Sequence, residues 1–149
     1  MPTALHQPSV QRVRLTPALM SIAVLLSSTF SIGTLAAPIL RCLISQGGTD
    51  QILDFKPVAD PYLVSSINIR DNFRFKAVVI GDAQSVSYVK LYSYYHSRRQ
   101  PVLLHQVRYL SPAVEITDKF DALTGTNTVY SPNLEREFQY GCALIEGNP

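Results

Sequence analysis

The feature that most constrains the fold is an alternation of period two. From Ile67 to Val79 the odd positions read Ile67, Ile69, Asp71, Phe73, Phe75, Ala77 and Val79. The even positions up to Ile80 read Asn68, Arg70, Asn72, Arg74, Lys76, Val78 and Ile80. Successive side chains of a strand point to opposite faces, so this pattern sets an apolar face on a core and a charged face to solvent. Asp71-Asn72 interrupts the apolar face, and an unbroken run of this length is long for a strand, so a turn is expected there.

The same grammar recurs along the chain. Strands are read at Pro38–Ser45, Gln51–Phe55, Phe73–Ile80, Ser85–Tyr95, Val102–Leu110, Thr128–Tyr130 and Glu137–Ile145, with Ile67 opening the run before Phe73. Turn signals separate them: Gly47-Gly48-Thr49-Asp50, Gly81-Asp82, Ser97 through Pro101, Ser111-Pro112 and Thr124 through Asn127. No apolar stripe at helical spacing runs between them; a short helix is expected only over 115–123. Parallel sheets need long crossovers that this chain has no room for. The fold class is therefore all-β: a small antiparallel β-sandwich, immunoglobulin-like or related, of about seven strands, with a small β-barrel as the alternative.

Two cysteines, Cys42 and Cys142, lie near the two ends of this strand-rich region. Their spacing is neither a redox C-x-x-C nor a zinc pattern. In an oxidising compartment they form one disulfide, closing a loop of about 100 residues and contributing roughly 4 to 5 kcal/mol in the chain-entropy model. Tyr140-Gly141-Cys142 resembles the Tyr-x-Cys of an immunoglobulin strand F. The chain departs from that family in having no Trp to pack on the bridge, a cysteine separation longer than the usual inter-sheet disulfide, and no strand after Cys142.

The compartment is read from residues 1–36. Arg12 and Arg14 precede the apolar run Ala18–Leu26, and Thr34-Leu35-Ala36 supplies small residues before the cut. This is the three-part pattern of a secretory signal peptide, with cleavage expected after Ala36 and a single β domain over 37–149. The expected localisation is exported, periplasmic or extracellular, with no membrane association after cleavage.

The precursor carries net charge +2, but residues 37–149 balance seven Arg and four Lys against seven Asp and four Glu. That neutrality argues against nucleic acid as a partner, since such binding rests on neutralising phosphates. No G-x-S-x-G, H-E-x-x-H, Walker or dinucleotide motif is present, so no catalytic residue, metal or cofactor is assigned. Asp50 with Asp54 and Asp118 with Asp121 lack the oxygen-ligand density of a calcium loop.

The most unusual composition is the strand carrying Tyr88, Lys90, Tyr92 and Tyr94, followed by the basic turn at Arg98 and Arg99. With Val89 and Leu91 on the core, Tyr88, Lys90, Tyr92 and Tyr94 share the other face, about 6 to 7 Å apart in succession. Tyrosine offers contact area at low entropic cost, so these six residues are the candidate binding site for a protein or glycan. The first functional reading is an exported, non-enzymatic binding module. The second is a ligand- or carbohydrate-binding barrel with the tyrosines inside. The third is a small hydrolase using His96 or His105 with an aspartate.

Overall fold

A computed structural model describes residues 36–132 and 135–147. Apart from Ala36, the leader read over residues 1–36 lies outside them. Among the described residues no helix is long and apolar enough to cross a membrane.

The described residues form eight strands: β1 (Pro38–Gln46), β2 (Thr49–Phe55), β3 (Ile67–Ile69), β4 (Phe73–Gly81), β5 (Val86–His96), β6 (Pro101–Leu110), β7 (Asn127–Tyr130) and β8 (Glu137–Glu146). They make two four-stranded sheets, ordered β2-β1-β8-β7 and β3-β4-β5-β6, with every neighbouring pair antiparallel. The sheets pack face to face as a sandwich, and the barrel alternative does not form. We call β3-β4-β5-β6 the meander sheet, because its strands follow one another in the chain. The other is the terminal sheet, because it joins the first two strands to the last two.

Local chemistry sets the turns. Gly47 and Gly48 connect β1 to β2 as a two-residue loop, with Gln46 opposite Thr49 and φ of +56° and +75°. That hand matches the twist of a hairpin and is open to glycine at little cost. β2 therefore begins at Thr49, ahead of the expected Gln51. The break expected at Asp71-Asn72 is present. Arg70 and Asp71 take positive φ, Asn72 N–H donates to Ile69 O, and the Asn68 side chain holds Asp71. This turn separates β3 from β4, which makes the strand count eight.

The core lies between the inward rows. β4 contributes Phe73, Phe75, Ala77 and Val79; β5 contributes Val89 and Leu91; β1 contributes Leu40 and Ile44; β8 contributes Phe138, Tyr140 and Leu144. Aromatic rings join the layers: Phe73 and Phe138 centroids are 4.9 Å apart, and Phe75 and Tyr140 are 5.1 Å apart. Such contacts add to area burial through ring geometry.

Cys42 and Cys142 are bonded, with their Cα atoms 4.1 Å apart. They sit directly opposite each other in β1 and β8, on the core face and fully buried. The likeness to an immunoglobulin ends here, because the bridge lies within one sheet and not between two. The backbone permits it. Cys142 N–H donates to Thr124 Oγ1 and its carbonyl accepts from Leu123 and Thr124. Both groups thus point away from β1, and Cys42 and Cys142 form a non-hydrogen-bonded pair, the closer of the two antiparallel spacings.

The helix expected over 115–123 does not form. The segment between β6 and β7 is instead extended and then turns at 120–124. It covers the part of β8 that β7 is too short to pair: Glu115 N–H donates to Leu144 O, beside the donations to Cys142 O. Glu115 and Leu123 thus give their N–H groups to β8, and Lys119 N–H donates to Thr117 Oγ1. Gly141 makes the crossing possible, since a Cβ there would stand 2.7 Å from Asp121 Cβ. The only helix among the described residues is a single 3-10 turn, Pro61–Leu63, capped by Asp60; proline at its first position and the Asp before it were the available signals.

Candidate functional site

β5 is the middle strand on which the site is built. Val89, Leu91 and Ser93 are buried, so Tyr88, Lys90, Tyr92 and Tyr94 project from the outside of the sandwich. The tyrosines therefore do not line an interior cavity, as the barrel reading required. Tyr92 and Tyr94 stack, with centroids 6.1 Å apart and planes 11° from parallel. Lys90 Nζ lies 5.6 Å from the Tyr92 ring centre, and the Arg108 guanidinium lies 4.5 Å over Tyr88. Partial burial and the neighbouring Tyr92 push the Tyr94 hydroxyl above the ordinary tyrosine range. It stays a neutral hydrogen-bond donor at physiological pH.

The neighbouring strands complete the face. Across the sheet, Arg74 stands opposite Tyr94, Lys76 opposite Tyr92, Val78 opposite Lys90 and Ile80 opposite Tyr88. On the other side Gln106 stands opposite Tyr92, Arg108 opposite Lys90 and Leu110 opposite Tyr88. None of these outward positions is Asp or Glu. Lys90 and Arg108 form a like-charge pair directly across two strands, an arrangement that costs stability. Each of the two cations turns onto a tyrosine ring, which offsets part of that cost.

Of the six residues singled out in sequence, four are brought together on this face. Arg98 and Arg99 are exposed in the turn between β5 and β6, at the Tyr94 end of the strand and off the face itself. Arg74, Lys76 and Arg108 were not among the six. Two signals pointed to them. Arg74 and Lys76 alternate with Phe73 and Phe75, and the chain carries no Asp or Glu from Ala83 to Val114.

The histidines do not form the expected pair with an aspartate. His105 faces inward, and its Nδ1 is 3.5 Å from the hydroxyl of buried Tyr140, a loose contact. His96 Nδ1 is buried without a partner among the described residues. The aspartates are engaged elsewhere. Arg41 donates two hydrogen bonds to Asp54, at 2.8 and 2.7 Å, holding that carboxyl below its ordinary range. Asp82 accepts from the N–H groups of Gln84 and Ser85, which likewise lowers its carboxyl. Asp121 accepts from Thr126.

Open clefts lie elsewhere on the molecule. One of about 330 Å³ lies between β1, β8 and the 120–126 turn, lined by Leu43, Phe120, Asp121 and Gly141. A second, of about 510 Å³, sits at one end of the sandwich beside Gly48, Arg70 and Arg136. Neither is lined by Tyr88, Tyr92 or Tyr94. No protein-family model, curated protein or solved structure matches the chain.

Proposed function

We propose that this chain is an exported binding module that takes an anionic macromolecule, protein or glycan, on the outer face of the meander sheet. One observation carries the reading. On β4 to β6, Arg74, Lys76, Lys90 and Arg108 share a face with three tyrosines and no carboxylate, although residues 37–149 are neutral as a whole; at the β3 border Asn68, opposite Arg74, holds the Asp71 carboxylate. The face therefore holds more than its share of the domain's positive charge, and a local field of one sign attracts an oppositely charged partner more than net charge suggests. The rings add flat apolar area next to those cations, a combination suited to peptide or sugar-ring surfaces carrying carboxylates.

Export to the periplasm or the extracellular space is supported by the leader pattern and by a disulfide of the kind that persists in oxidising compartments. A balanced domain lacking a catalytic motif suits binding better than turnover.

Polyglutamate and polygalacturonate serve as probes for the two partner classes. Binding of either should weaken by more than about 1 kcal/mol on Tyr92→Ala or Tyr94→Ala if these rings anchor the partner. It should also fall with added salt, as screening of exposed charges requires. Binding left unchanged in a folded protein with all three tyrosines replaced would remove this face from consideration.

A further inference from the structure

The two sheets have four edges, and they are not equally protected. β3 has three residues, and beyond it Val58 occupies the free edge of β4: its N–H donates to Val79 O at 2.9 Å and its carbonyl accepts from Gly81 at 3.4 Å. β7 has four residues, and beyond it the crossing segment takes the edge of β8. β2 carries Asp50 and Asp54, and acidic side chains are one way natural sheets blunt an edge.

β6 lacks those protections. It has ten residues, β5 is its one strand neighbour among the described residues, and its ionic side chain is Arg108. Pro101 sits at its first residue and an irregularity in register lies near Leu104, leaving His105 to Leu110 in regular register with β5. Leu103 is 50% and Leu110 68% exposed. A long edge with open backbone groups and exposed apolar side chains is a template for an added strand.

We propose that β6 is where the partner of this protein adds a strand, and that the segment it takes is an extended polypeptide alternating acidic and apolar residues. A strand beside β6 lies about 4.8 Å away. Its outward side chains fall next to Gln106 and Arg108 and continue the cationic face, so carboxylates there complete the cross-strand charge pairs that the meander sheet lacks. Its inward side chains fall next to Val107 and Tyr109, which pack on the core yet stay only half-buried at the edge. Apolar residues there extend the core. A second copy of the chain is a poor occupant of the same edge, because β6 against β6 sets two carboxylate-free cationic faces side by side. The charge pattern of the added strand rests on the anion-binding reading of the face; the backbone pairing does not.

The test uses a synthetic peptide alternating Glu and Val over the length of β6, with amide hydrogen exchange read residue by residue. Binding should protect amides of β6. Methylating the peptide nitrogens that would face β6 should weaken binding at least about tenfold, since several backbone hydrogen bonds are then lost while charge and side chains remain. Arg108→Glu should weaken it as well. Three results overturn the proposal. Equal binding of the methylated peptide with no protection of β6 would leave the anion-binding face standing without strand addition. Binding of polygalacturonate but not of the peptide would assign the face to glycans. Concentration-dependent protection of β6 in the absence of peptide would make a second copy the occupant.

Discussion

The meander sheet and the terminal sheet have the same number of strands and share one core, yet they are assembled in opposite ways. Every strand of the meander sheet pairs with its neighbour in sequence, across turns that local residues specify: Arg70-Asp71-Asn72, Asp82 through Ser85, and Ser97 through Gln100. The terminal sheet depends on β1 finding β8, and the loop that this closes is nearly the whole domain. Closing a long loop is an entropic cost that no local signal repays. The disulfide sits on that one pairing, where restricting the unfolded chain has its greatest effect. The crossing segment then reinforces β8 from its other side. The meander sheet, which has no covalent tie of its own, leaves its outer face to cations and rings. The contrast is between a sheet tied covalently across the domain and one whose outer face carries cations and rings.

The strongest test of this division is removal of the bridge. Replacing both Cys42 and Cys142 with Ser should lower stability by about 2 to 5 kcal/mol in denaturant unfolding. Hydrogen exchange should show β1 and β8 losing protection before β4 and β5. If all four strands lost protection equally, the two sheets would be one cooperative unit and the contrast would fail.

Gly141→Ala comes next. Its Cβ would press on the Asp121 Cα and Cβ, so the 120–124 turn must shift. A loss of about 1 to 3 kcal/mol is expected, in the range of overpacked sites. The amides of Leu123 and Thr124, which donate to Cys142 O, should exchange faster while β5 and β6 are unaffected. An intact exchange pattern with unchanged stability would show that the crossing segment does not brace β8.

Tyr92→Ala and Tyr94→Ala probe the other sheet. Each should lower stability by less than about 1 kcal/mol, the scale of a cross-strand pair, while the binding described above falls. A larger loss of stability with intact binding would mean that the rings serve the fold alone.

The smallest effect concerns Arg41 and Asp54, which tie β1 to β2. The ion pair holds the Asp54 carboxyl below its unfolded value, so the unfolded chain takes up that proton first as pH falls. The stabilisation is complete above the unfolded carboxyl value, about pH 4, and disappears as pH drops through the folded value. Both side chains are more than a third exposed, so no more than about 1 kcal/mol is at stake. Asp54→Asn should remove that increment at neutral pH and flatten the acid limb of the stability curve by the same amount. An acid limb identical to that of the parent protein would show the pair contributes nothing.

Much of the meander sheet was legible because its rules are local. Alternation from Ile67 to Val79 set the inward face, and Asp71-Asn72 marked the turn. Tyr88, Lys90, Tyr92 and Tyr94 were placed on one side by parity alone. Arg74, Lys76 and Arg108 joined them only through strand register, a relation between residues far apart in the chain. The cysteine pairing was legible for a different reason, since two cysteines allow one intramolecular bridge. That the bridge lies within one sheet followed from the β1–β8 register. The segment over 115–123 was misread because Glu115 and Leu123 donate to carbonyls of β8, partners that become available only once β8 is in place. Period and composition thus determined the class of structure, the inward face of each long strand and the covalent tie. Tertiary pairing decided the sheet order, the covered edge of β8 and the open edge of β6, because each depends on which strands lie side by side.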